Sequence, residues 1–75
     1  MITEAEAKQA PEFIVDWRGR WVMMTSRSFT DYRQACAFAR RTAKRFGSAC
    51  LMPVIDGRMA AQWSYSDRYP RAFSN

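Results

Sequence analysis

The stretch DYRQACAFARRTAKRFG, residues 31–47, decides the fold class of this chain. Its aspartate, with Ser28 and Thr30 just upstream, offers side chains that cap a helix, and its final glycine is a residue that commonly ends one. At about 100° per residue, the apolar and small residues in between fall in one arc, with Phe38 on its edge. The arc consists of Tyr32, Ala35, Cys36, Ala39, Ala43 and Phe46. The pattern predicts a helix whose small inner side chains let it lie close against a sheet.

The residues on either side of the predicted helix have the patterns of two β-hairpins. Residues 13–17 and 21–25 are rich in β-branched and aromatic side chains, and the glycine of Arg18-Gly19-Arg20 suits a reversal between them. Downstream, residues 51–55 and 58–63 flank Asp56-Gly57, a dipeptide that favours a type I′ turn. Each hairpin contributes two antiparallel strands to the predicted sheet.

The turn at Asp56-Gly57 also predicts which face of the second hairpin is buried. If Ile55 pairs with Arg58 and the register continues, one face is uniformly apolar, and we expect the helix to cover that face. It consists of Cys50, Met52, Val54, Met59, Ala61 and Trp63. Pro53 cannot donate a hydrogen bond to a neighbouring strand, so its strand lies at an edge or contains a bulge there.

These elements predict an α+β domain of order ββαββ, with one helix packed on one face of a three- or four-stranded antiparallel sheet. We expect a single domain over residues 12–66. Residues 1–11 form a flexible arm or a frayed first turn of helix, and residues 67–75 form a basic, aromatic tail. One helix covers only one face of such a sheet, so the other face is open to solvent or to a partner.

Composition restricts the function classes. The chain has 75 residues, of which 48% are hydrophobic and 15% aromatic, which is too apolar for a disordered protein. Twelve Lys and Arg stand against seven Asp and Glu, giving a formal net charge of +5. A polyanion or an acidic protein face is the natural partner for this charge, and a merely solvated surface is the alternative.

Location and cysteine use follow from the same inspection. No apolar run approaches the about 18 residues of a membrane span, and the N-terminal residues are too polar for a secretory signal. We therefore expect a protein of the bacterial host cytoplasm without a membrane partner. Cys36 and Cys50 both lie in apolar company, which is more typical of buried small residues than of a disulfide or a metal pair.

Catalytic chemistry has little support in these residues. The chain has no histidine, and its aspartates lie where turns, caps and strand ends commonly have them. Two distant cysteines cannot complete a zinc site, and the three glycines do not form a phosphate-binding loop. We predict a binding protein that is not an enzyme and has no cofactor or metal.

The candidate binding residues are cations of the helix and of the first turn. Along the helix, like charges four residues apart are unfavourable, and the helix contains no acidic residue to offset them. The turn combines cations with tryptophans that can stack on a base or a guanidinium. The predicted partner- or phosphate-binding residues are Arg18, Arg20, Arg33, Arg40, Arg41, Lys44 and Arg45, with possible stacking by Trp17 and Trp21. Trp63, Tyr32 and Phe46 are expected in the core.

In element order, residues 13–63 resemble small host-takeover proteins of bacteriophages. Some anti-CRISPR proteins and some phage inhibitors of host RNA polymerase share such a compact build, with two strands, a cationic helix and a final hairpin. The resemblance implies stoichiometric binding that blocks a host nucleoprotein complex. No signature motif is matched, so no residue role is carried over. Many such inhibitors are acidic DNA mimics, whereas this chain is basic.

Three hypotheses therefore stand after the sequence alone. The first is a phage or mobile-element inhibitor that docks its basic helix and turn on an acidic or nucleic-acid-bearing host complex. The second is a module that binds DNA or RNA directly, through phosphate contacts and an exposed tryptophan. The third is a small subunit of a larger assembly, with the open sheet face as its interface. The chain itself is expected to be a monomer or a small homo-oligomer.

Overall fold

The computed structural model describes residues 1–19, 23–68 and 71–75. It has two helices, α1 (Glu4–Ala7) and α2 (Tyr32–Phe46). The strands are β1 (Glu12–Arg18), β2 (Met24–Phe29), β3 (Ser48–Val54), β4 (Gln62–Ser66) and β5 (Ala72–Ser74). They form one antiparallel sheet in the order β2-β1-β3-β4-β5, and α2 packs on one face of it. The α+β class and the ββαββ core are confirmed, but the sheet has five strands instead of three or four.

Helix α2 spans the residues that its capping and periodicity predict. The Asp31 carboxylate accepts a hydrogen bond of 2.9 Å from the Gln34 N–H, and Gly47 ends the helix with a φ of 99°. Ala35, Ala39 and Ala43 are fully or almost fully buried, so the helix lies close to the sheet. The expectation that Phe46 belongs to the core is wrong. As the last residue of α2 it is 39% exposed, and the Arg45 guanidinium lies over its ring.

The first hairpin has a longer reversal than predicted. Strand β2 begins at Met24, which pairs with Arg18, and the Gly19 N–H donates to the Met23 carbonyl at 2.9 Å. The second strand therefore covers residues 24–29 instead of 21–25. The shift places Phe29 opposite Phe13, where it contacts Phe38 of α2 with ring centroids 5.2 Å apart. Burial of this aromatic residue favours the longer pairing over the tighter turn.

The second hairpin has the predicted turn but not the predicted buried face. Ile55 and Arg58 exchange two backbone hydrogen bonds of 2.9 Å, and Asp56 and Gly57 both have the positive φ of a type I′ turn. Further along, Leu51 pairs with Trp63, so β4 has one more residue than β3 between the turn and this pair. Such an extra residue is a bulge, and it reverses the faces of one strand relative to the other.

Because of the bulge, the predicted core face is right for the β4 side and wrong for β3. Ala61 and Trp63 are buried on the helix side as expected, but the residues of β3 that share this face are Ala49, Leu51 and Pro53. The β3 residues that were predicted to be buried are on the open face instead, namely Cys50, Met52 and Val54. Met59 is exposed. Pro53 lies on the part of β3 that has no partner on β4, which agrees with the prediction of an edge or a bulge.

Residues near both chain ends pack against the core. Thr3 and Glu6 form a capping box on α1, and Ala7 is fully buried. Of the two states that the sequence left open for this segment, the structure has the turn of helix. At the other end, β5 pairs with β4, and the Phe73 ring lies 5.1 Å from that of Trp63. Burial against Trp63 explains why β5 forms.

Candidate binding surface

The five predicted cations of α2 lie on its exposed side, and no ion pair joins any of them to another described residue. The helix contains no acidic residue, and the ion pair found among the described residues joins Arg71 to Glu4. The five are Arg33, Arg40, Arg41, Lys44 and Arg45, all exposed. The structure therefore brings this part of the predicted site together as one continuous surface, which we call the helix surface.

Two clefts run along the sides of α2, and both are basic. The first, which we call the tyrosine cleft, has a volume of about 670 Å³. It is lined by Lys8, Tyr32, Arg33, Cys36, Ala37, Arg40, Tyr65, Ser66 and Arg71. The second, which we call the phenylalanine cleft, has a volume of about 430 Å³. It is lined by Trp17, Arg27, Phe38, Arg41, Thr42, Arg45 and Phe46. The helix surface is thus flanked by two concave basic regions.

In the tyrosine cleft, a network of side chains holds the two chain ends against the core. The Trp63 indole N–H donates to Glu4 Oε2 at 2.8 Å, and the same oxygen lies 3.3 Å from Arg71 Nη2. Arg71 also donates to the hydroxyl of Tyr32, and Lys8 Nζ lies 5.7 Å from the centre of the Tyr32 ring. These contacts orient Lys8 and Arg71 toward the same cleft as the helix cations.

The two tyrosines of this cleft remain protonated well above neutral pH. Burial and the neighbouring Cys36 raise the pKa of Tyr32 to about 12. The same two causes raise the pKa of Tyr65 above its ordinary value. Tyr65 is only 6% exposed, and its hydroxyl has no hydrogen-bond partner in the described part of the chain. At neutral pH both side chains are therefore uncharged.

The phenylalanine cleft is built from stacked aromatic rings and arginines. The ring of Phe38 contacts those of Trp17 and Phe29, each with centroids 5.2 Å apart. The Arg27 guanidinium lies 5.1 Å from the centre of Phe38 and 5.2 Å from that of Phe29. Aromatic faces attract a guanidinium and limit its freedom, so Arg27 is held in place for a partner.

The cluster predicted at the first turn is not brought together by the described residues. Trp17 and Arg18 are successive residues of β1, so their side chains point to opposite faces of the sheet. Trp17 is half-buried on the helix side, whereas Arg18 is exposed on the open side. Arg20 and Trp21 lie outside the described residues. The stacking role of Trp17 and Trp21 and the binding role of Arg18 and Arg20 stay predictions.

The open face of the sheet has a different character from the helix surface. Its central residues on β1 and β3 include Ile14, Cys50, Met52 and Val54, and serines occupy much of β2 and β4. The charged residues that the register places on this face are Glu12, Asp16 and Arg18. Burial, and secondly the nearby Asp16, raise the pKa of the Cys50 thiol. Cys36 lies on the helix side, and both cysteines are free.

Three cations of the two clefts were missed by sequence reasoning. Lys8 belongs to the segment expected as an arm, Arg71 to the tail, and Arg27 to a stretch expected as a loop. For Arg27, the signal was present in the alternation Thr25, Arg27, Phe29, which continues β2 beyond its predicted end. For Lys8 and Arg71, their place beside the helix depends on long-range contacts that no local pattern contains.

Among residues 1–19, 23–68 and 71–75, no group of three or more potential metal ligands lies together. Neither described helix has the length and apolar character that a membrane span requires.

The chain was compared with protein-family models, with curated proteins and with solved structures. None of the three comparisons gave a match. The α+β fold is thus described from the structure alone, and the resemblance to phage host-takeover proteins stays a prediction.

Proposed function

We propose that this chain is a binding protein without enzymatic activity that docks its helix surface on an acidic or nucleic-acid-bearing surface of a host nucleoprotein complex. In this proposal it acts stoichiometrically, as a phage or mobile-element inhibitor of the anti-CRISPR kind would. The single observation that carries the proposal is the row of five cations on α2 that have no ion pair among the described residues.

The internal cost of this row supports a role in binding. Arg40 and Lys44 are four residues apart, as are Arg41 and Arg45, so like charges face each other along the helix. Each such pair destabilises a helix by about 0.2–0.5 kcal/mol, and glutamates at some of these positions would remove the cost. A surface that served only solubility would not need this arrangement, whereas a negatively charged partner offsets it.

The position of the cations supports the same conclusion. Four cations line the tyrosine cleft and three line the phenylalanine cleft, so positive charge continues from the helix into the concave regions beside it. A partner that follows the helix would therefore meet cations on both sides. Complementary charge of this kind speeds association and selects against basic partners.

The test is a pull-down from bacterial lysate with two charge-matched double variants. Arg41→Glu with Lys44→Glu changes the helix surface, and Arg58→Glu with Arg68→Glu makes the same change in net charge on exposed residues outside it. We expect the helix variant to lose the captured partner and the control variant to retain it. The helix variant should melt at or above the temperature of the unmodified chain, because it relieves repulsion among the cations of α2.

Nuclease treatment separates the direct nucleic-acid hypothesis from the leading one. If capture survives nuclease and fails only in the helix variant, the proposal holds. If nuclease abolishes capture, and affinity for a random oligonucleotide falls steeply with salt, the chain is a nucleic-acid-binding module instead. Equal loss of the captured partner in both double variants would show that net charge alone is responsible for capture. Retention of the partner in both variants would show that the helix surface does not bind it.

A further inference from the structure

The lining of the tyrosine cleft is positively charged. It contains four cations and no carboxylate. Glu4, which lies next to the cleft, forms an ion pair with Arg71. Lys8, Arg33 and Arg40 have no ion pair with any described residue. Three cations from two separate elements, the segment after α1 and the helix α2, therefore converge on one concave region without a counter-charge from the described residues.

A second observation in the same cleft points to a missing acceptor. Tyr65 lines the cleft and is 94% buried, since its exposed fraction is 6%, and its hydroxyl lacks a hydrogen-bond partner within residues 1–19, 23–68 and 71–75. Buried hydroxyl groups in folded proteins almost always have a partner, and one without it is unfavourable. The Cys36 thiol and the Arg71 guanidinium lie close enough to this hydroxyl to affect its pKa, yet no described atom completes a hydrogen bond of normal distance and angle with it.

We propose that the tyrosine cleft binds a phosphate group, with Arg33, Arg40 and Lys8 supplying charge and the Tyr65 hydroxyl donating a hydrogen bond from the cleft floor. Guanidinium groups match the geometry of phosphate oxygens. The charged oxygens of a phosphate also accept strong hydrogen bonds from such donors. The Arg71 side chain, which lies beside the Tyr65 hydroxyl, shifts to admit the oxyanion. A phosphate in this place would provide both the counter-charge and the acceptor.

Two sources of this chemistry fit the cleft. One is a small molecule with a terminal phosphate, for which a volume of about 670 Å³ leaves room beyond the phosphate itself. The other is a phosphodiester of a nucleic-acid backbone. The inference does not rest on the docking proposed above, since Arg41 and Lys44, which the docking test changes, do not line this cleft. The two ideas can therefore fail independently.

The first experiment is an NMR titration of the ¹⁵N-labelled chain with inorganic phosphate at constant ionic strength. We expect saturable shifts centred on residues of the tyrosine cleft. Arg33→Gln should weaken phosphate binding about tenfold or more, since it removes a charged hydrogen bond. The matched control Arg58→Gln loses the same charge in an exposed turn and should bind as the unmodified chain does. Shifts that do not saturate, or equal weakening in both variants, would contradict a built site.

Tyr65→Phe separates a binding role from a structural one. Removal of a hydroxyl without a partner should leave the melting temperature unchanged or raise it, while phosphate binding weakens several-fold. An unchanged affinity in the folded variant would overturn the role of the buried hydroxyl and with it the proposed site. If that variant did not fold, the comparison of Arg33→Gln with Arg58→Gln would still decide the matter.

A parallel titration with a thymidine dinucleotide, which contains a single phosphodiester, distinguishes the two sources. Tighter binding of inorganic phosphate would identify a terminal phosphate as the natural group. Tighter binding of the dinucleotide would identify a nucleic-acid backbone, and it would weaken with Arg33→Gln in the same way. Failure of both probes to bind in a saturable manner would show that the proposal is wrong.

Discussion

The helix surface and the open face of the sheet lie on opposite sides of one small domain and differ in almost every physical respect. The helix surface has five exposed cations, and its two clefts add more. The open face has three charged residues among neutral and apolar side chains, and two of the three are acidic. Among the described residues, positive charge is therefore concentrated on the helix side of the molecule.

The difference arises because the two sides of α2 have different roles, one in the core and one at the surface. Its inner side is made of alanines, so it lies close to the sheet and buries the large residues of β1, β3 and β4 beneath it. Its outer side takes no part in the core and is free to hold charge. In β1, β3 and β4, by contrast, alternate residues are needed for the core. Chemistry for binding a polyanion is accordingly concentrated on the helix.

The largest expected effect comes from neighbouring residues of β3 that lie on opposite faces. Leu51 is fully buried under α2, whereas Met52 is half-buried on the open face. Leu51→Ala should lower the free energy of unfolding by about 2–5 kcal/mol, a large part of the total for a domain of this size. Met52→Ala should cost clearly less. Urea denaturation of both variants measures the difference, and a reversed order would mean that the bulge in the second hairpin is not present.

A smaller effect of opposite sign is expected at Tyr65, on the helix side of the sheet. Its hydroxyl is buried without a partner among the described residues, so Tyr65→Phe should raise the free energy of unfolding by about 1 kcal/mol. Thermal and urea denaturation in a buffer without phosphate measure this change. A loss of stability of the same size would instead mean that the hydroxyl is satisfied in the free protein, for example by Arg71.

The smallest effect compares a single charge reversal on each side of the molecule. Arg41→Glu places a carboxylate four residues before Arg45 and three before Lys44, which should stabilise α2 by about 0.5 kcal/mol. Arg18→Glu, at the exposed end of β1, should change stability by less than that. Denaturation curves compare the two variants. A helix variant that is less stable than its sheet counterpart would mean that Arg41 makes a contact that the structure does not contain.

How much of this fold was predictable differs between the helix and the sheet. Helix α2 is specified by local signals, namely the Asp31 cap, the arc of small residues and Gly47, so its bounds agree with the prediction. The turn at Asp56-Gly57 is equally local and was also predicted. The face of β3 was not, because a single extra residue on the β4 side shifts the ladder to pair Leu51 with Trp63. The packing of those two residues under the helix decides the register, and the turn does not contain that information.

The candidate site divides in the same way. The five cations of α2 follow from the helical periodicity, and the structure places all of them on the exposed side. Lys8 and Arg71 reach the tyrosine cleft only because both chain ends meet near Trp63 through Glu4. Strand β5 has three residues and is held by Phe73 against Trp63, so no propensity argument predicts it. Contacts between distant segments thus account for what the sequence left open.

The most direct test measures the accessibility of arginines on and off the helix surface in one experiment. Phenylglyoxal modifies exposed arginines, and mass spectrometry can measure its extent at each position in the free chain and in the complex captured from lysate. We expect Arg33, Arg40, Arg41 and Arg45 to become protected in the complex while Arg58 and Arg68 stay reactive. Protection of Arg58 and Arg68 with the helix arginines still reactive would contradict the proposed docking.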